Sequence, residues 1–332
     1  MTVHDLIIVG AGPSGLATAI AAGRQGFDSQ VLEKGALVNS VFNFPVHMVF
    51  FTTPELLEIG GLPLITPYDK PTRLEALRYY RRVVEAFVLQ VSLGEEVFDL
   101  QREDVPGQPG TLFAVHVRSA RGVRRVLHGR SVVMAIGYYD HPNLLEIPGE
   151  DLPHVSHYYR EPHPYYRQRV VVVGGKNSAA ETALELYRAG AQVTLVHRRA
   201  ALGESIKYWV KPDIENRIKE GAIPARFETR VVEIRPTSVV VEHAGQREEL
   251  PADAVFLLTG YHPDTRLFAG VGVELSDRGA PRYNPETFET NVPNLFVAGG
   301  AVAGRDTGNV FIENGRFHGE RIVEVLARRR GV

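Results

Sequence analysis

Two glycine turns, each fed by an apolar run, hold most of the chemical potential of this chain. The first reads Leu6-Ile7-Ile8-Val9-Gly10-Ala11-Gly12-Pro13-Ser14-Gly15, and the second reads Val170-Val171-Val172-Val173-Gly174-Gly175-Lys176-Asn177-Ser178-Ala179. A strand entering a glycine turn and then a helix leaves free N–H groups at the positive end of the helix dipole, where a phosphate is stabilised. In the first turn Gly10 permits the tight bend, Gly12 lets backbone approach a pyrophosphate, and Gly15 brings helix against strand. Pro13 and Ser14 complete the loop. Glu33 closes the next strand, placed to accept hydrogen bonds from a ribose diol, with Lys34 beside it. This first loop is expected to hold FAD.

Glu33 lies 23 residues after Gly10, and His197 lies 23 residues after Gly174. Where the first loop has an acid, the second therefore has His197-Arg198-Arg199. A carboxylate there would repel a 2′-phosphate, whereas two guanidiniums can grip one. The second loop is expected to take NADPH through Gly174, Gly175, Lys176, Asn177, Ser178, His197, Arg198 and Arg199. Lys176 replaces the middle glycine; it crowds the pyrophosphate, while its ammonium can neutralise phosphate charge. Asn177 and Ser178 either cap the helix or donate to phosphate oxygens. Two dinucleotides in one chain imply hydride passing from one to the other, and then to an acceptor.

Repeated β-α-β units must position these loops. The pattern predicts strand Leu6–Val9, a helix from about Ser14 to Gln25 and strand Ser29–Glu33, with a further helix around Arg73–Phe87. Pro106, Gly107, Pro109 and Gly110 mark a turn, flanked by strand-like Leu112–Val117 and Val132–Ile136. The prolyl stretch His141–Pro153 reads as a hinge. Beyond it the pattern restarts with strand Val170–Val173, helix Ser178–Ala189 and strand Gln192–Val196. Strand Val255–Leu258 leads back towards Gly260 and a second hinge. Strand Leu295–Ala298 and one terminal helix, about Asn309–Arg329, close the chain. The expected architecture is α/β: two Rossmann-like three-layer nucleotide-binding domains, the NADPH domain (143–262) inserted into the FAD domain (1–142 and 263–332).

Composition narrows the function. With 332 residues and 44% hydrophobic content the chain can bury two cores. Its 37 basic and 39 acidic side chains give a net charge of −2, which argues against a nucleic-acid or membrane-surface partner. The chain has no cysteine, so it has no disulfide staple, thiolate metal site or protein-thiol chemistry, and no metal is expected. The first strand follows Met1 closely and no apolar run is long enough to span a bilayer, so a cytoplasmic location is expected.

With these residues in view, the chain resembles the low-molecular-weight thioredoxin-reductase-like flavoproteins. Ala135-Ile136-Gly137 is similar to their first-domain exit, Thr259-Gly260-Tyr261 lies at the second exit, and Thr290–Gly300 is similar to their C-terminal flavin motif. More narrowly it resembles the bacillithiol disulfide reductase family. That likeness rests on Asn43–His47 with Phe50–Thr53, Gly137–Asn143, Val173–Ser178 and Phe311–Gly319. The resemblance implies FAD, NADPH and a homodimer or higher homo-oligomer. It also assigns Ala135, Gly137, Gly299, Gly300 and Ile312 to the flavin and Gly260 to NADPH.

Two departures shape the mechanism. The interval His157–His163 holds no C-x-x-C, which excludes a dithiol relay to thioredoxin. Ser14 stands where many relatives have a cysteine in the first loop, and a serine forms no mixed disulfide. Gly300 also stands where the broader group often has a flavin-contacting aspartate. The expected acceptor is a low-molecular-weight disulfide or a small redox protein. A ferredoxin or flavodoxin reductase and a flavin-bound redox sensor are the competing readings. His47, on an aromatic loop, is the candidate proton donor and flavin neighbour. The run His154–Tyr166 either lines an acceptor site or forms a packed linker or an oligomer contact, and Trp209 is expected to be a packing anchor rather than a stacking platform.

Overall fold

The computed structural model describes residues 2–331. They divide into one unit formed by the segments up to His141 and from Tyr261, and a second formed by Pro142–Gly260.

The first unit begins with β1 (Val3–Val9), α1 (Pro13–Arg24) and β2 (Ser29–Glu33). Then come α2 (Asn39–Asn43), α3 (Pro54–Leu57), α4 (Arg73–Ala86), β3 (Val91–Leu93), β4 (Glu95–Asp104), β5 (Thr111–Ser119) and β6 (Arg124–Met134). β1 lies centrally and parallel between β2 and β6, with Val9 opposite Leu32 on one side and Met134 on the other. Leu6, Ile7 and Ile8 are fully buried, as a strand covered on both faces requires. The first half of β6 pairs antiparallel with β5, which returns from β4 through the predicted Pro/Gly turn. α4 opens on a capping box: the Glu75 N–H donates to the Thr72 hydroxyl, and the Thr72 N–H donates to the Glu75 carboxylate.

The second unit contains β7 (Val155–Ser156), β8 (Arg169–Val173), α5 (Asn177–Arg188), β9 (Gln192–Val196), α6 (Lys211–Lys219) and β10 (Ala225–Arg226). It continues with β11 (Arg230–Arg235), β12 (Ser238–His243), β13 (Gln246–Pro251) and β14 (Ala254–Leu257). Its parallel sheet has the order β10-β9-β8-β14-β7. β11–β13 form an antiparallel three-stranded sheet that the sequence pattern did not reveal. Most of the predicted hinge turns out to be packed structure. Leu145, Ile147 and Leu152 pack against a core containing Val171, Ile234 and Val239. The Ile234 N–H donates to the Pro148 carbonyl at 2.8 Å, and the buried Glu150 carboxylate accepts from the Leu145 and Glu146 N–H groups.

The chain re-enters the first unit with α7 (Thr265–Gly270) and β15 (Leu295–Val297), which joins the second half of β6 in parallel register. The single terminal helix expected from the sequence is two helices, α8 (Ile312–Gly315) and α9 (His318–Arg330), broken at Arg316 and Phe317. α9 lies on α1, and Gly319 is why they can approach. A Cβ there would sit 2.5 Å from the Thr18 Cα.

Gly149 tests the packing of the supposed hinge. Its φ is +84°, and an added Cβ would collide with the Ile234 carbonyl oxygen. Gly149→Ala should destabilise the protein by about 2 kcal/mol, read as a lower urea midpoint. A free linker would leave the midpoint unchanged.

Candidate active site

The first glycine loop is built by backbone touching backbone. Gly10 has φ +106°, and a Cβ there would collide with the Ala135 carbonyl oxygen. A Cβ on Gly15 would collide with the Gly10 carbonyl oxygen, so α1 can leave the turn only from a glycine. At Gly12 the space a Cβ would take is open. Gly12 is also the N-cap of α1, Pro13 opens the helix, and no side chain caps it. The first-turn N–H groups therefore face open space without a side-chain acceptor, a geometry that fits a phosphate.

Glu33 lies at the end of β2, 6% exposed, and folds back on the loop. Its carboxylate accepts the Ala11 N–H at 2.9 Å and the Gly35 N–H at 2.8 Å. Burial raises its pKa, and the two backbone donors oppose that rise. Two lone pairs stay available for a diol. Lys34 pairs with Asp140 at 3.0 Å and lines a cavity of about 370 Å³ with Gly94, Glu96, Arg118, Ser119, Ala120 and Gly122. Sequence reading named Lys34 but missed the rest of this cavity, which Gly94 and Gly122 at strand ends also mark.

The C-terminal motif closes on the same loop. β15 leads into Gly299, whose φ is +63°. A Cβ on Gly299 would lie 2.5 Å from the Ser14 Oγ, and one on Gly315 would lie 3.1 Å from it. Ser14 is thus wedged between two glycine backbones, and its carbonyl accepts from the Thr18 hydroxyl at 2.7 Å. At Gly300 a Cβ would come within 2.6 Å of the Tyr138 ring. Burial, followed by the Glu313 carboxylate, raises the Tyr138 pKa. The Gly299 N–H donates to Nδ1 of His318 at 3.1 Å. Neither Tyr138 nor His318 was singled out from sequence. Ala135, Gly299 and Gly300 thus gather around Ser14 and α1, while Ile312 packs half-buried against the neighbouring core. Gly137 turns the exit strand with φ +63°.

His47 is placed differently. It is exposed on a turn closed by the Met48 N–H to Pro45 carbonyl bond, with no hydrogen bond or ion pair among the described residues. Its neighbours Phe44 and Phe50 do join the exit segment. Phe44 meets Phe50 edge-on at 6.4 Å and Tyr139 edge-on at 5.0 Å, and Tyr139 meets Tyr261 at 4.7 Å.

The second loop is a variant of the first. Gly174 has φ +155°, and a Cβ there would lie 2.7 Å from the Leu258 carbonyl oxygen. Gly175 is needed because the His197 imidazole occupies the space a Cβ would take. Burial, then the nearby Arg199 and Arg198 charges, lower the His197 pKa. Lys176 is the exposed N-cap of α5, which has no side-chain cap, and its stem runs beside Gly203. Asn177 caps nothing: it donates to the Ser205 carbonyl at 3.0 Å and accepts the Lys207 N–H at 2.9 Å, pinning the loop that follows β9. Ser178 is exposed beside it. The Arg198 and Arg199 guanidiniums are exposed and have no ion-pair partner among the described residues. Gly260 stands two residues past Leu258, its carbonyl accepting the Asn143 N–H at 2.9 Å. The run His154–Tyr166 contributes to the core of this unit, with Tyr159 and Tyr165 edge-on to Phe256. Trp209 is 40% exposed, edge-on to Tyr208, and so is no buried anchor.

These paired loops match known proteins along their length. A family model described as pyridine nucleotide-disulphide oxidoreductase matches residues 7–299. The chain belongs to that family. It is 42% identical over 332 residues to a bacilliredoxin reductase of Bacillus subtilis, covering 99% of each. A solved bacillithiol disulfide reductase of Bacillus cereus superposes with a TM-score of 0.95 at 40% identity, covering 99% of this chain and 100% of that one. The Staphylococcus aureus protein of the same description gives a TM-score of 0.92 at 39% identity, again covering 99% of this chain and 100% of that one. As a member of this family the chain is an oxidoreductase, and its cofactors are FAD and NADPH. No helix among the described residues is long and apolar enough to cross a membrane.

The Tyr138–Gly300 contact yields a prediction. Gly300→Ala should cost about 2 kcal/mol of stability, because the added methyl meets an aromatic ring in a packed site. Adding Tyr138→Ala should recover part of that loss, so the double mutant unfolds at a higher temperature than additivity requires. Strict additivity would mean that the two residues do not touch.

Proposed function

We propose that this chain transfers electrons from NADPH, through FAD, to a low-molecular-weight disulfide of the bacillithiol type, without a protein thiol. The full-length likeness to a bacilliredoxin reductase is the observation that carries the choice of acceptor. Gly10, Gly12, Pro13, Ser14 and Gly15 would hold the FAD pyrophosphate, Glu33 its ribose, and the cavity beside Lys34 its adenosine end. Ala135, Gly137, Gly299, Gly300 and Ile312 would shape the remainder of that site. Gly174, Gly175, Lys176, Asn177, Ser178 and Gly260 would hold NADPH, with Arg198 and Arg199 gripping the 2′-phosphate and His197 filling the floor beneath them.

Bound FAD supplies a two-electron relay between nicotinamide and acceptor. The net reaction takes one hydride from NADPH and one proton, breaks the S–S bond and yields NADP⁺ and two thiols. The protein's part is to hold both nucleotides, exclude competing chemistry and furnish the proton. We assign that proton to His47, whose loop neighbour Phe44 packs edge-on against Tyr139 of the exit segment. The hydroxyl of Ser14 cannot attack the disulfide as a thiolate would. A homodimer and a cytoplasmic location complete the proposal.

Anaerobic mixing of the yellow protein with NADPH or NADH tests the nucleotide half. NADPH should bleach the flavin faster, and Arg198→Ala with Arg199→Ala should raise its half-saturating concentration roughly tenfold or more while leaving NADH little changed. Equal loss for both nucleotides would refute a 2′-phosphate site. Offering the reduced protein bacillithiol disulfide, other small disulfides, a bacilliredoxin disulfide or ferredoxin tests the other half. Re-oxidation by ferredoxin alone would establish the ferredoxin reductase reading instead.

Ser14→Cys probes the direct route. Because position 14 is enclosed by Gly299 and Gly315, the larger sulfur should displace that wall and lower flavin content. Disulfide turnover per bound flavin should not rise. A rise would show that the chain uses position 14 covalently when given a thiol.

A further inference from the structure

The segment Phe311–Gly319 marks the family resemblance, yet of its residues only Ile312 entered the cofactor assignment. One of the others makes a long-range contact with the Gly299 turn. His318 accepts the N–H of Gly299 at Nδ1, 3.1 Å away, across 19 residues of sequence. Gly299 is in the left-handed region at φ +63°, so its amide direction depends on what holds it.

A column of rings fixes the imidazole. His318 stacks on Phe288 at 4.1 Å and 21°, and Phe288 stacks on Tyr283 at 5.8 Å and 11°. Phe288 itself is left-handed, with φ +59°, a costly conformation for an aromatic residue. Its N–H donates to the Asn284 carbonyl at 2.7 Å, and its carbonyl accepts from Val297 in β15 at 2.9 Å. The strand that delivers Gly299 thus also holds the ring on which His318 rests. Next in sequence, Gly319 sets α9 against the backbone of α1 at Thr18. Two consecutive residues therefore link both walls that meet at Ser14: the N-terminal turn of α1 and the Gly299 turn.

We propose that His318 is a positioning residue for FAD, holding the Gly299 amide and so fixing the turn that closes the flavin site against α1. This rests on the FAD assignment of the first loop. Burial lowers the His318 pKa to about 4, so near neutral pH the imidazole is uncharged and Nδ1 is free to accept. The proton then sits on Nε2.

The test compares three holoprotein variants: His318→Phe keeps a ring for the stack but loses the acceptor, His318→Asn keeps a side-chain acceptor but loses the ring, and Phe288→Leu keeps the acceptor but removes its support. FAD release is followed as the rise in flavin fluorescence after dilution, and the unfolding midpoint is measured on the apoprotein. His318→Phe should release FAD roughly tenfold faster, the effect of stranding a buried amide, and should also lower the apoprotein midpoint, since the same amide is stranded without the cofactor. His318→Asn should stay within about threefold of wild type, and Phe288→Leu should fall between them. Equal release from His318→Phe and wild type would overturn the proposal, as would faster release from His318→Asn than from His318→Phe. A wild-type protein that could not be reconstituted with FAD would instead overturn the assignment beneath it.

Discussion

Close approach of backbone to backbone is the constraint on which the first unit depends. At Gly10, Gly15, Gly299 and Gly319 a single methyl would strike a carbonyl, a serine side chain or the spine of a helix. Each contact draws a different segment onto α1: the exit strand at Ala135, the turn itself, the C-terminal motif and the terminal helix. Glycine loses more entropy on folding than any other residue, so four of them in one place is an expense that packing alone seldom requires. What the arrangement provides is a helix N-terminus with no side-chain cap, ringed by close-packed backbone. Such a surface can approach an anion without reorganising.

The second unit solves a related problem with a different electrostatic outcome. Glu33 and His197 occupy corresponding places, and each lies over the residue that follows the first glycine of its loop. Over Ala11 the carboxylate accepts an amide and leaves lone pairs for a donor such as a hydroxyl. Over Gly175 the imidazole takes the volume of the missing side chain, and burial, then the charges of Arg199 and Arg198, lower its pKa. One position thus presents a carboxylate, and the other presents two exposed guanidiniums, without an ion-pair partner among the described residues, over an imidazole. This contrast between equivalent sites supports pairing FAD with the first loop and NADPH with the second more directly than either motif does alone.

Both loops could be read from sequence because their chemistry is local. Glycine spacing, an apolar run and an acid or base at the end of the following strand all fall within one β-α-β unit. The antiparallel sheet of β11–β13 escaped notice because its strands are short and the outer two, Arg230–Arg235 and Gln246–Pro251, are half charged; only Val239–Val241 of β12 carries an apolar strand signal. The stretch after His141 looked like a hinge because proline and glycine usually mark linkers. Here Gly149 is needed for contact with Ile234, and Glu150 supplies acceptors to its own turn. The break at Arg316 and Phe317 was hidden in continuous helical periodicity. Tyr138 and His318 were beyond reach for another reason: their significance lies in contacts with Gly300 and Gly299, far away in sequence and without side chains of their own.

Position 14 is where the close glycine contacts and the missing thiol meet. A thiol at the N-terminal turn of α1 would be acidified by the helix dipole and would make a ready nucleophile. Serine has no comparable route to an anion, and this chain has no cysteine elsewhere to replace it. The hydroxyl also has little freedom to move, because Gly299 and Gly315 enclose it. If the acceptor is a disulfide, its bond must then be broken by electrons arriving from the flavin rather than by exchange with the protein. Rate and selectivity would depend on how firmly the flavin is seated and on what the surrounding walls admit. Under the proposed assignment those walls would include Tyr138, Gly300 and the Gly299 turn. In a relative with a cysteine, small errors in that seating could be compensated by a covalent intermediate; this chain, without a cysteine, has no such intermediate to draw on.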